Sequence, residues 1–138
     1  MTDFSLPYGN DRINFQLPST LAVEKLLPET FPPVEDAEGA IREALNNPLG
    51  KHKLADFLGA ETIGIAINDK TRPVPQPNPL NTLVKHLESL GFSQEKIIFF
   101  VGSGTHTPMT EEELPRILSQ DLLEHYLVVV HDCDGSKT

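Results

Sequence analysis

Three stretches of this sequence end an apolar run in residues able to hold an anion or move a proton. Ile63-Gly64-Ile65-Ala66-Ile67 breaks into Asn68-Asp69-Lys70-Thr71-Arg72-Pro73. Phe99-Phe100-Val101 runs into Gly102-Ser103-Gly104-Thr105-His106, and Val128-Val129-Val130 into His131-Asp132-Cys133-Asp134. Arg72 offers a planar fork for phosphate or carboxylate. Thr71 and the loop amides could add donors, and Pro73 holds the turn. The competing reading is structural: Asp69 closes the turn and Arg72 pairs with it. A histidine can take and return a proton near neutral pH, and Gly102 and Gly104 let a ligand approach His106 closely. Its competing reading is a solvated loop histidine bonded to Thr105 or Thr107. The Gly-Ser-Gly stretch is neither a P-loop nor a dinucleotide fingerprint, because the Gly-Lys-Ser/Thr and the third glycine are missing. His131, Asp132, Cys133 and Asp134 are metal-ligand types, but successive strand residues point to opposite faces. No zinc spacing accompanies them, so no metal site is expected and Asp132 reads as a loop or helix cap. Glu111-Glu112-Glu113 reads as a solvated acidic first helical turn.

The elements that must position these tips follow from periodicity. Ile63–Ile67, Lys96–Val101 and Tyr126–Val130 read as strands, and Ile97–Val101 lacks alternation, as expected for a strand covered on both faces. Leu80, Leu83, Val84, Leu87 and Leu90 keep a helical period, with Asn78-Pro79 as the start and Gly91 as the stop. Pro73, Pro75, Pro77 and Pro79 stiffen the loop before it. Thr110 and Glu113 form a candidate capping box for a helix over Glu111–Ser119, with Pro115 placed awkwardly inside it. Asp121–His125 reads as a further turn. Earlier, Phe4–Tyr8 and Ile13–Leu17 read as a β-hairpin. Leu21–Leu27 reads as a short helix ended by Pro28, and Glu29–Glu35 as a linker. Asp36 caps a helix running to Leu45 or Asn46, and Lys53–Leu58 is a short turn or helix closed by Gly59. Alternating strands and helices predict an α/β fold: three α/β/α layers on a mainly parallel sheet, plus the N-terminal β-hairpin. In a parallel sheet the carboxyl ends of the strands share one edge, where ligands bind.

Composition narrows the partners. A chain of 138 residues suffices for one domain with a modest core. A net charge of −9 argues against nucleic acid and anionic membranes, which are bound through clustered Lys and Arg. A single Cys cannot form an internal disulfide, which fits a reducing, cytoplasmic setting. No signal-peptide pattern is read at the N-terminus, and the apolar runs are strand-sized.

Two motifs, Asn68-Asp69-Lys70-Thr71-Arg72-Pro73-Val74-Pro75 and Gly104-Thr105-His106-Thr107-Pro108, carry a family resemblance. With the acidic Thr110-Glu111-Glu112-Glu113 stretch and a strand ending in His131-Asp132, the chain resembles the N-terminal segment of the nickel-pincer-dependent lactate racemases. Pro7-Tyr8-Gly9 and Asn47-Pro48-Leu49-Gly50 also look like that family, and the resemblance covers most of Leu6–Asp132. It implies racemisation of 2-hydroxy acids by proton-coupled hydride transfer with a nickel-pincer nucleotide (Ni-pyridinium-3,5-bisthiocarboxylate mononucleotide). It further implies that Asp69, Lys70, Thr71 and Arg72 form the cofactor-binding loop. Arg72 would also lie near the substrate carboxylate, and His106 would be one of two catalytic acid/base histidines. In the family the second histidine, the lysine that carries the cofactor and the nickel-ligating histidine come later in a much longer chain. Residues 1–138 are therefore expected to be a single α/β domain, part of the N-terminal domain of a longer racemase-like protein. Alone it should be inactive, without tightly bound cofactor, and a homo-oligomer. The alternative is a non-catalytic α/β module that binds a phosphate or nucleotide ligand or a partner chain.

Overall fold

The computed structural model describes residues 1–72 and 74–135. The chain divides into two compact units, Met1–Pro33 and Val34–Thr138. In the first, β1 (Thr2–Tyr8) and β2 (Asp11–Leu17) pair antiparallel with Phe4 opposite Phe15, whose rings stack at 5.7 Å. Gly9, at φ +59°, takes the first of the two turn positions, where a positive φ suits glycine. The helix expected over Leu21–Leu27 is absent: the segment is irregular, with Leu26 84% and Leu27 69% exposed. A short helix is marginal without a packed face, and Pro28 pushes Leu27 out of the helical region.

The second unit begins with α1 (Ala37–Asn46), capped by the Asp36 side chain accepting from the Gly39 amide. A 3-10 turn over Leu54–Phe57 follows. The sheet is then built from β3 (Ile63–Asn68), β4 (Ile97–Gly102) and β5 (Leu127–Val130), all parallel, in the order β3-β4-β5. α2 (Pro77–Ser89) connects the first pair and α3 (Gln120–His125) precedes β5.

The core lies on one side of this sheet. Ile97, Phe99 and Val101 of β4 are at most 1% exposed and share a cluster with Leu80, Val84 and Leu87 of α2 and with Leu118 and Leu122. Burial in β4 alternates, which corrects the expectation of a strand covered on both faces. Phe100 is 42%, Val129 39% and Leu127 60% exposed on the opposite face, where the Phe100 ring lies over Gly64. The apolar run was ambiguous because a large side chain can line an open face as well as a buried one. The α/β fold, its parallel sheet and its N-terminal hairpin are as expected, and among the described residues the helices cover one sheet face.

Two helix boundaries differ from the sequence reading. α2 begins at Pro77, a first-turn position where the missing N–H costs nothing, so Asn78 lies inside the helix rather than capping it. Its end is a Schellman turn: Gly91, at φ +101°, donates to Glu88 O (2.9 Å) and Phe92 donates to Leu87 O (3.2 Å). The helix expected over Glu111–Ser119 shrinks to a 3-10 turn at Leu114–Arg116. Half of its capping box survives, since Thr110 N donates to Glu113 Oε2, and Pro115 denies the rest of an α-helix its donor. Among the described residues no helix is long and apolar enough to cross a membrane.

Candidate active site

Asp69 lies one residue past the end of β3 and is only 3% exposed. A buried carboxylate needs donors, and three reach it. Thr71 gives its backbone N–H (3.1 Å) and its hydroxyl (2.6 Å) to Oδ1. Oδ2 sits 2.7 Å from His106 Nδ1. The Thr71 hydroxyl, then His106, hold the Asp69 pKa down to about 2. Asp69 is thus ionised at neutral pH and can only accept, so the proton between the pair resides on His106 Nδ1. Whenever that ring carries a single proton, Nε2 has the free lone pair, on a side chain 47% exposed.

His106 is brought there by the loop after β4. Its N–H donates to Ser103 O (3.0 Å), closing a turn in which Gly104 has φ +59° and nothing within 4 Å of a hypothetical Cβ. The parallel register sets Asn68 level with Gly102, so the two tips face each other. Between them is a cavity of about 290 Å³ lined by Asn68, Asp69, Arg72, Gly102, Ser103, Gly104, Thr105 and His106. The Ser103 hydroxyl is buried and has no hydrogen-bond partner among the described residues. A larger cavity, about 620 Å³, lies within the first unit against Phe4, Phe15 and Leu17, and its lining has no histidine or cysteine.

The structure therefore brings Asp69, Arg72 and His106 to one cavity, with Thr71 joined through Asp69. Arg72 does not pair with Asp69: its amide donates to Asp69 O (3.4 Å), and its guanidinium has no ion pair among the described residues. Lys70 instead pairs with Glu113, whose carboxyl is held below its ordinary range by Lys70 and then by the Thr110 amide. Lys70 does not line the cavity. Gln76, 5% exposed, donates to Asn68 O (2.8 Å) and anchors the loop. Bonds from Val74 N to Arg72 O and from Gln76 N to Val74 O stiffen it further, both at 2.8 Å. Pro73, expected to hold this turn, lies outside the described residues.

At the third tip His131 and Asp132 are exposed, and Asp132 Oδ1 accepts from Asp134 N (3.0 Å) in a local turn. This is the capping role expected of Asp132. The expectation that these neighbours point apart is corrected: ligand atoms of Asp132, Cys133 and Asp134 lie within 4.8 Å of one another, because the residues form a turn beyond the strand. Sequence reasoning missed Gln76 and Ser103. The burial of Ser103 was available in principle, since it continues the alternation of Phe99 and Val101.

Similarity to known proteins follows the same residues. Residues 8–138 match the model of the lactate racemase N-terminal domain. Lactate racemase from Lactiplantibacillus plantarum is 29% identical over 134 residues, which are 95% of this chain and 31% of that protein. The lactate racemase apoprotein structure from Thermoanaerobacterium thermosaccharolyticum superposes with a TM-score of 0.77 at 29% identity, covering 95% of this chain and 30% of that one. The chain thus spans about a third of the length of these relatives. Most of its length, including every residue lining the tip cavity, falls inside the matched region, and the chain belongs to the lactate racemase N-terminal domain family.

Proposed function

We propose that this chain supplies half of the active site of a 2-hydroxyacid racemase or epimerase of the lactate type. The observation that carries the reading is the His106 ring, held by Asp69 at 2.7 Å and sharing one cavity with Arg72. Arg72 receives the substrate carboxylate on its fork and orients C2. His106 Nε2 takes the C2 hydroxyl proton and returns it. The nickel-pincer nucleotide of the family, when bound, supplies the hydride acceptor and donor. The cavity fits its polar part: Arg72, the Ser103 hydroxyl and the open space at Gly104 suit a phosphate or ribose. Loop Asp69–Arg72 would be its near wall. Among the described residues the carboxylate and imidazole groups lining the cavity are those of Asp69 and His106, which are bonded to each other, so nickel ligands and a lysine attachment would have to come from outside this cavity.

The chain alone is accordingly inactive, and the complete protein interconverts the enantiomers of a 2-hydroxy acid. Chiral chromatography of D- and L-lactate and related acids, with the complete cofactor-loaded protein, tests this. Racemisation abolished by His106→Ala is the expected result. Binding of a nucleotide without turnover of any 2-hydroxy acid would overturn it in favour of a non-catalytic module.

The same reading includes assembly and location. The face bearing Phe100, Leu127 and Val129 is apolar and open among the described residues, and such surfaces favour association. A homo-oligomer of the 138-residue chain is expected in light scattering, and a clean monomer at high concentration would refute it. The exposed, unpaired Cys133 suits the cytoplasm.

A further inference from the structure

We propose that Thr71 is a positioning residue: its hydroxyl fixes the Asp69 carboxylate, which in turn fixes the ring of His106. The resemblance alone would make Thr71 a donor to the cofactor. Its geometry points elsewhere, because both of its donors are already used. The backbone N–H and the O–H end on the same oxygen, Asp69 Oδ1, at 3.1 and 2.6 Å. A hydroxyl has one proton, so Thr71 retains only lone pairs and cannot also donate to a phosphate or carboxylate.

Two donors on one oxygen restrain a torsion that is otherwise broad and two-fold in Asp. The second oxygen is left aimed at His106 Nδ1, 2.7 Å away. Asp69 is 3% exposed, so water is poorly placed to replace a lost donor. The other charged group lining this cavity is Arg72, while Lys70 on the same loop is turned to Glu113. Without the Thr71 hydroxyl the carboxylate keeps one donor from that residue, and the imidazole loses its fixed orientation and tautomer. The depressed pKa of Asp69, for which the Thr71 hydroxyl is the largest cause, agrees with this order of action.

The inference deepens the racemase reading, and its test is independent of turnover. In the 138-residue chain, carboxyl carbon NMR follows the Asp69 titration and imidazole nitrogen shifts report the His106 tautomer. Thr71→Val, which keeps shape and removes the hydroxyl, should raise the Asp69 midpoint by about one unit and mix the two His106 tautomers. Thr71→Ser should restore both signals. If the valine disturbs the turn, Thr71→Ala serves as the hydroxyl-free variant, and methyl shifts of the Phe99 core check the fold. Unchanged Asp69 midpoint and His106 tautomer in a folded hydroxyl-free variant would overturn the proposal, as would failure of serine to rescue them. Loss of racemase activity with both signals intact would likewise assign Thr71 to ligand contact instead.

Discussion

The three strand tips of this sheet carry two Asp–His pairs, and among the described residues only one pair is joined. Asp69 and His106 are 37 positions apart in sequence yet 2.7 Å apart in space, on neighbouring strands, with the carboxylate buried. His131 and Asp132 are adjacent in sequence, lie beyond the edge strand β5, and are both exposed, with Asp132 occupied by the Asp134 amide. β3 and β5 are both edge strands beside β4, so edge position does not separate them; what does is the loop after β4, which carries His106 to the β3 tip. The difference teaches that proximity along the chain contributes little to such a pair, whereas parallel register supplies a partner, shelter from water and a fixed direction.

The comparison breaks most visibly in turnover. In a complete racemase, His106→Ala should lower kcat by roughly 10²–10⁴-fold. His131→Ala should leave it within about twofold, as expected for a surface substitution away from the site. A large loss from His131→Ala would move the site to the tip of β5. Arg72→Lys comes next, with a drop in kcat/KM of roughly 10–100-fold, because a point charge cannot replace a bidentate fork and a charge-assisted bond is lost. Unaltered kinetics would leave Arg72 a solvated loop residue.

The smallest effect is in acid. The folded pKa of Asp69 is depressed to about 2 from an ordinary 3.8. Its contribution to stability is thus complete above the ordinary value and is lost as the pH falls toward about 2. Urea midpoints measured across that window should decline, and Asp69→Asn should remove part of the decline. Asp132→Asn should change neutral-pH stability by no more than about 0.5 kcal/mol. Identical acid profiles for wild type and Asp69→Asn would show that the buried carboxylate contributes nothing differential.

Much of this architecture was legible in the residues. Ile63–Ile67 and Ile97–Val101 were bounded by polar residues and turn formers, and both strands extend one residue beyond the run, to Asn68 and Gly102. Gly91 stopped α2 because its positive φ is a local property. The three loaded tips on one edge followed from strand–helix alternation. What the sequence concealed were matters of tertiary competition. Leu21–Leu27 is apolar enough for a helix but has no packed face to hold it. Thr110 and Glu113 are fit for a capping box whose helix Pro115 then truncates. Lys70 was placed by the resemblance in the cofactor-binding loop, and its partner Glu113 lies 43 residues away. The role of Thr71 could not be read either, since it depends on which oxygen of Asp69 faces His106.

The ladder that sets Asn68 level with Gly102 also governs which changes of chain length this site can survive in descent. Side chains alternate along a strand, so one residue deleted within β3 would send the Asp69 side chain to the opposite face. One added between Gly102 and His106 would displace the ring. An insertion in the connection from Gly91 to Ser93 ends before β4 begins, and the strands can pair as before. Length variants should therefore accumulate in the links between elements, while the two six-residue strands and the short reach to His106 act as a ruler.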